Sequence, residues 1–269
     1  MTRIASTVLL AAAAVSSVAV RPIQAQSYSD ARAKQVISDA VAALGGEKFL
    51  EMKDRVQVGR AYSFYQDELS GLSVARISTR YLTVDPKNSG YELGIRERQA
   101  FGKKEDTAVV LREDGGANIN WRLAKPIPAD EFERYRESTL LNILYILRQR
   151  MQEPGLTFES AGSEVVDRLP CEAIDVIDSK NRKVRVYFHQ VTKLPMKQVF
   201  SRLDTKTKER DEEVTRFDRY RTNDGIQWPQ QVTRERNGYK IFQIFAESVS
   251  FNQDLTDDLF SVTTLTRSK

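Results

Sequence analysis

From Val56 to Phe251 the chain is written in short runs rich in Val, Ile, Tyr, Phe and Thr, separated by turn residues and interrupted once by a helical stretch. That grammar commits most of the backbone to antiparallel strands, because β-branched and aromatic residues suit a pleated surface and the turns between them are too short for crossovers. Expected strands in the first half are Val56 to Phe64, Ser73 to Asp85, Gly90 to Ala100, Thr107 to Arg112 and Ala117 to Leu123. They are joined by turn signals such as Asp85-Pro86-Lys87-Asn88 and Asp114-Gly115-Gly116. Strands resume after Leu156, with hairpin signals at Asp178-Ser179-Lys180-Asn181, Asp224-Gly225 and Asn237-Gly238. Asn-Gly is the strongest of these, since both residues tolerate the positive φ of a type I′ turn.

The strand after Asn237-Gly238 carries a second constraint. Simple alternation puts Tyr239, Ile241, Gln243, Phe245, Val249 and Phe251 on one side and Lys240, Phe242, Ile244 and Ala246 on the other. Apolar residues occupy both sides. Either the sheet is covered on both faces or its inner face lines an apolar cavity.

Two helices are expected. Ser29 can cap the first, whose Ala33, Val36, Ile37, Ala40, Val41 and Leu44 follow helical spacing up to Gly45-Gly46. The second runs from Asp130 to Gln152, opened by a capping box of Asp130 with Glu133 and closed by Pro154-Gly155. Its Leu140, Leu141, Ile143, Leu144, Ile146, Leu147 and Met151 wrap around much of the helix, so it is expected to be buried on several sides or to sit over an apolar hollow.

The first 25 residues read as an export signal. Arg3 precedes an alanine-rich apolar stretch from Ile4 to Val20, then Pro22 and the small Ala25 at the expected cleavage point. An uncleaved anchor is the competing reading; alanine's weak hydrophobicity and the cleavage site favour removal. Residues 26–269 are then expected to form one domain in the periplasm, with no composition shift to divide them. Cys171 is the only cysteine, which removes intramolecular disulfides and points to a small buried hydrophobe. The formal balance of +4 includes Arg3 and Arg21 of the signal, and the remaining charges interleave, so no nucleic-acid partner is expected.

Catalytic chemistry has little to draw on. His189 is the only histidine, at a strand end, and cannot make a multi-histidine metal site. No nucleophile elbow, phosphate-binding loop or dinucleotide turn is present. Neighbouring carboxylates such as Asp257-Asp258 point to opposite faces of a strand, although acidic residues from distant strands could still meet. No enzymatic activity, cofactor or metal is expected.

The C-terminal half carries a resemblance. The run Tyr187-Phe188-His189-Gln190-Val191-Thr192-Lys193-Leu194-Pro195-Met196, the run from Phe217 through Asp224-Gly225 to Trp228-Pro229, then Val249-Ser250-Phe251-Asn252 and the closing Leu259-Phe260 resemble the LolA-like outer-membrane lipoprotein-sorting family. That resemblance implies an α+β fold: an incomplete, half-open antiparallel β-barrel with helices packed as a lid over its concave apolar face. It also implies a periplasmic carrier of lipid or lipoprotein acyl chains, served by inner- and outer-membrane loading and receiving proteins. An acyl chain of ~15 methylenes gains up to ~12 kcal/mol on burial, so a carrier needs a lid that moves. Candidate cavity and lid residues are Leu140, Leu141, Leu144, Leu147, Met151, Phe242 and Ile244. A non-catalytic envelope module with a filled interior is the alternative, followed by an exported hydrolase.

Overall fold

The computed structural model describes residues 22–203 and 208–265; the expected signal lies outside the described residues as far as position 21. Helix α1 (Pro22–Leu44) starts ahead of the expected Ser29 cap. A proline is well suited to a helix's first turn, and nothing between Pro22 and Ser29 stops the helix. Ala33, Ile37, Ala40 and Leu44 form its fully buried stripe. Gly45 and Gly46 then take positive φ and return their N–H groups to the carbonyls of Ala42 and Val41, ending the helix as expected. The short α2 (Glu47–Glu51) follows.

The strands make one sheet in two sweeps. β1 (Asp54–Tyr65), β2 (Glu68–Tyr81), β3 (Ile95–Phe101), β4 (Thr107–Arg112), β5 (Gly115–Asn120) and β6 (Ala124–Pro126) each pair antiparallel with the next. After the interrupting helices, β7 (Thr157–Val166), β8 (Leu169–Ile177), β9 (Lys183–His189), β10 (Pro195–Leu203), β11 (Arg210–Asn223), β12 (Ile226–Arg236) and β13 (Tyr239–Phe251) meander back. The order is β6-β5-β4-β3-β2-β1-β13-β12-β11-β10-β9-β8-β7, so the first and last strands meet in the middle. β6 and β7 are the free edges, and the 13-stranded sheet is not closed into a barrel. The fold is α+β and half-open, as the resemblance implies.

Several strand ends differ from the sequence expectation. Residues 86–94, assigned partly to a strand, form turns in which the Asp85 carboxylate accepts the Lys87 N–H. The expected strand to Leu123 stops at Asn120, whose side chain accepts the N–H groups of Arg122 and Leu123 and reverses the chain into β6.

The expected 23-residue second helix is broken. α3 (Ala129–Leu140) begins behind Pro128, so Asp130 sits inside the first turn and favours the helix through its dipole without capping it. At Leu141-Asn142 the backbone leaves the helix, and α4 (Ile143–Tyr145) continues into a π turn over Ile146–Arg150. The break is stabilised from outside. The buried Gln198 of β10 accepts the Ile143 N–H at 2.8 Å and donates to the Leu141 carbonyl at 3.3 Å, while the Asn142 side chain accepts the Leu144 N–H. Residues with good helix propensity break here because a tertiary partner replaces the missing helical bonds.

At the central seam β13 carries a bulge. Val58 pairs with Ser248 but Gly59 pairs with Ala246, leaving Glu247 unpaired. The extra residue reverses the alternation, so Val249 and Phe251 turn to the same face as Ile244 and Ala246, in place of the opposite face that simple alternation assigns. The buried Phe251 meets the Trp228 ring edge-on at 5.9 Å. Gly59 is where β13's backbone comes closest: a Cβ there would collide with the Phe245 carbonyl oxygen and lie 2.8 Å from Ala246 Cα. Gly59→Ala is therefore expected to cost about 2–3 kcal/mol or more in denaturant unfolding, while Gly238→Ala at the exposed hairpin tip costs less.

Candidate ligand-binding hollow

A hollow of about 230 Å³ lies between the concave face of the sheet and the broken helix. Its floor is built from alternate residues of neighbouring strands: Arg55 and Gln57 on β1, Thr79 and Tyr81 on β2, Glu97 and Gln99 on β3, Trp228, Val232 and Arg234 on β12, Ile244 on β13 and Phe217 on β11. Tyr135, Ser138, Thr139, Asn142, Leu144 and Tyr145 form the roof. Register explains the grouping, because Arg55 stands opposite Thr79 on β2 and Phe251 on β13, and Thr79 stands opposite Glu97.

The floor is amphipathic. The Arg55 guanidinium lies 4.4 Å from the centre of the Trp228 ring, a stacking that keeps a cation beside an apolar wall. One end of it donates to the Thr79 hydroxyl at 2.8 Å, and that hydroxyl donates on to Glu97 at 3.1 Å. Arg55 and Glu97 themselves are 4.0 Å apart, at the limit of an ion pair. Arg55 Nε, Gln57 Nε2 and the Tyr135 hydroxyl have no hydrogen-bond partner. Thr139, beside Tyr135, works against the upward push of burial on that hydroxyl. Arg234 is partly exposed, with 38 % of its side chain accessible, and desolvation pulls its pKa down against the opposing pull of Glu213. Burial likewise raises the hydroxyls of Tyr81 and Tyr135, and takes Tyr145 up to about 12 although the Gly94 N–H donates to it.

The residues expected to form cavity and lid are dispersed. Leu144 and Ile244 line the hollow. Leu140 packs with Leu93, Ile95 and Tyr145, and Leu141 and Leu147 sit in the main core with the α1 stripe. Met151, 38 % exposed, lies in a separate surface groove beside Ile37, Val41, Leu50 and Phe158. Phe242 is half-buried on β13 opposite Ser63 and Arg234, outside the hollow's lining. The polar members were missed because hydrophobic alternation along β1 favours Val56 and Val58 as the inward pair. The structure turns Arg55, Gln57, Gly59 and Ala61 inward instead.

The roof is pinned at its far end. Gln149 donates to the Leu82 and Gly94 carbonyls, and Arg148 donates to the Met52 carbonyl. Arg150, fully buried, binds Glu153 at 2.6 Å, Asp178 at 3.0 Å and the Leu140 carbonyl, tying the π turn to the β8–β9 turn. α3, by contrast, buries only Leu140. Elsewhere, Cys171 is buried in β8, where burial raises its thiol, and His189 Nδ1 accepts the Thr192 N–H in the turn after β9. Among the described residues no group of three His, Cys, Asp or Glu could hold a metal, and no described helix is long and apolar enough to cross a membrane.

Solved structures share this half-open antiparallel fold. A DUF1329 family protein from Desulfovibrio piger superposes with TM-score 0.55 at 13% identity, and a domain assigned to outer-membrane lipoprotein sorting from Vibrio parahaemolyticus with TM-score 0.54 at 12% identity. A LolA superfamily protein from Nitrosomonas europaea gives 0.51 at 12% identity; each superposition covers 85% of this chain and 97% of the other. No family model and no curated protein matches the sequence. At such identities the likeness is one of fold.

Removing the Arg150 side chain leaves the buried Glu153 carboxylate without a cation and takes from Asp178 one of its two arginines. Arg150→Met is expected to lose about 3–5 kcal/mol of stability, read by urea unfolding. Burial pushes the Asp178 carboxyl up, but hydrogen bonds from Arg182, from backbone N–H groups and from Arg150 outweigh it and hold the group below the usual range. Its contribution is therefore complete above about pH 4 and fades as pH falls through the depressed value. Thermal melts of the native chain should show that acid loss, and Arg150→Met should show less of it.

Proposed function

We propose that this chain is an exported carrier that shelters lipid, or the acyl chains of lipoproteins, in the hollow beneath α3. The observation that carries the reading is the hollow itself: Trp228, Phe217, Ile244, Leu144 and Tyr145 supply apolar surface around a space that the sheet's failure to close leaves open. The fold shared with a lipoprotein-sorting domain supports it. At about 230 Å³ the space falls below the ~300 Å³ at which ligand pockets usually begin, so a long acyl chain needs α3 to shift. α3 is suited to that motion, because beyond the packing of Leu140, Phe132 and Tyr135 its ties are long, Arg136 to the Tyr91 carbonyl at 3.2 Å, Ser138 to Glu213 at 3.4 Å and Glu137 to Arg202 at 3.9 Å, whereas the following π turn is fixed by Arg148, Gln149 and Arg150.

In this reading the segment up to Ala25 is removed on export and residues 26–269 work as one domain in the periplasm. Inner- and outer-membrane proteins load and unload the cargo. No catalytic step is required, and the hollow's polar groups act as binding groups.

Protein purified from the periplasmic fraction is expected to carry extractable lipid, detected by native mass spectrometry. Leu144→Arg, which places a charge in the roof, should lower uptake of a fluorescent fatty acid at least tenfold while the circular dichroism spectrum is kept. Lipid-free protein with no affinity for fatty acids or detergents would return the reading to a non-catalytic envelope module.

A further inference from the structure

An apolar cradle for a hydrocarbon tail has no use for cations and amides, yet Arg55, Gln57 and Arg234 line this hollow. Gln57 is 4 % exposed and its amide Nε2 has no partner; Arg55 Nε, two residues away on the same face of β1, has none either. Both atoms belong to residues lining the one hollow, and Thr79 on the neighbouring strand accepts only from the Nη2 end of Arg55. Leaving such groups buried and unpaired is costly, and a small turn of either side chain toward the hollow would let a ligand acceptor relieve that cost.

The charges define which acceptor. Arg55 has only a distant partner in Glu97, at 4.0 Å, with Thr79 bridging the two. Across the hollow Arg234 leans on Glu213, a carboxylate already shared with Arg202 and Arg236. Two guanidiniums and one carboxylate therefore line the space, which favours a ligand with a single negative charge. A dianionic phosphate would set its second charge against Glu97.

We infer that the hollow holds a carboxylate amphiphile head-inward, its carboxylate on the Arg55 guanidinium and the Gln57 amide and its chain along Phe217, Ile244 and Leu144. This rests on the reading of the hollow as a lipid site and adds the head group and its orientation. A guanidinium is suited to a planar carboxylate, and the Trp228 ring beneath Arg55 keeps it from swinging to other acceptors. The small volume agrees with a chain of medium length, with longer chains emerging past α3.

The test uses the delipidated full chain carrying Trp121→Phe, so that Trp228, at the floor of the hollow, is the single tryptophan reporter. Titration with decanoate, decanol and decyl phosphate is followed by its fluorescence. Decanoate is expected to bind about ten- to a hundredfold more tightly than decanol, the range of a charge-assisted hydrogen bond. Arg55→Met should weaken decanoate far more than decanol and so erase that preference, and Gln57→Leu should reduce it severalfold. Bromine quenches tryptophan on contact, so 2-bromodecanoate should quench Trp228 more strongly than 10-bromodecanoate.

Equal affinity for decanoate and decanol, or an Arg55→Met protein that keeps the preference, overturns the head-group site and leaves the carrier reading standing. Tighter binding of decyl phosphate overturns the carboxylate assignment, and stronger quenching by the 10-bromo compound overturns the orientation. Binding of none of the three overturns the carrier reading as well. If Arg55→Met does not fold, Gln57→Leu decides the question by the same ratio.

Discussion

The ladder between β1 and β13 joins the two ends of the sequence, and the rest of the sheet hangs from it. Each sweep of strands is a meander of local hairpins, but only this seam makes the two sweeps one surface. Closing it brings together segments separated by most of the chain, which costs loop entropy and makes the contact late and slow relative to the hairpins. The seam is reinforced where it ends. Asp54, buried at the start of β1, accepts the backbone N–H groups of Gln253 and Leu255, and Asn252 accepts that of Lys53. The Glu247 bulge and Gly59 then set its curvature and parity, which is how Arg55 and Gln57 come to share one face with Ile244.

The roof depends on the same economy of buried polar partners. Gln198 holds the helix open at Leu141-Asn142, and Arg150 fixes the far side through two carboxylates and a carbonyl. Buried ionic groups of this kind add little net stability against an apolar equivalent, but they tolerate only one geometry. The consequence is a roof whose far half is fixed by buried polar groups and whose near half, α3, is held by partly exposed contacts to Tyr91, Glu213 and Arg202. The hollow beneath it combines aromatic and aliphatic surface with the Arg55 and Arg234 side chains, a mixture suited to an amphiphile more than to a bare hydrocarbon.

The amino-acid sequence by itself determined the kind of fold: alternating apolar runs, Asp-Gly and Asn-Gly hairpins and the glycine stop after α1 are local chemistry, and local chemistry survives in the structure. It also marked Leu144 and Ile244 among seven cavity and lid candidates, and these two line the hollow. What only the tertiary structure decided lies at non-local contacts. One unpaired residue in β13 reversed the faces of Val249 and Phe251, a distant glutamine broke a segment with helical spacing, and charged Arg55 and Glu97 turned inward because their partners stand on other strands. Periodicity reads a strand's two faces but carries no information on which face the rest of the chain will cover, and that choice placed the polar floor of the hollow.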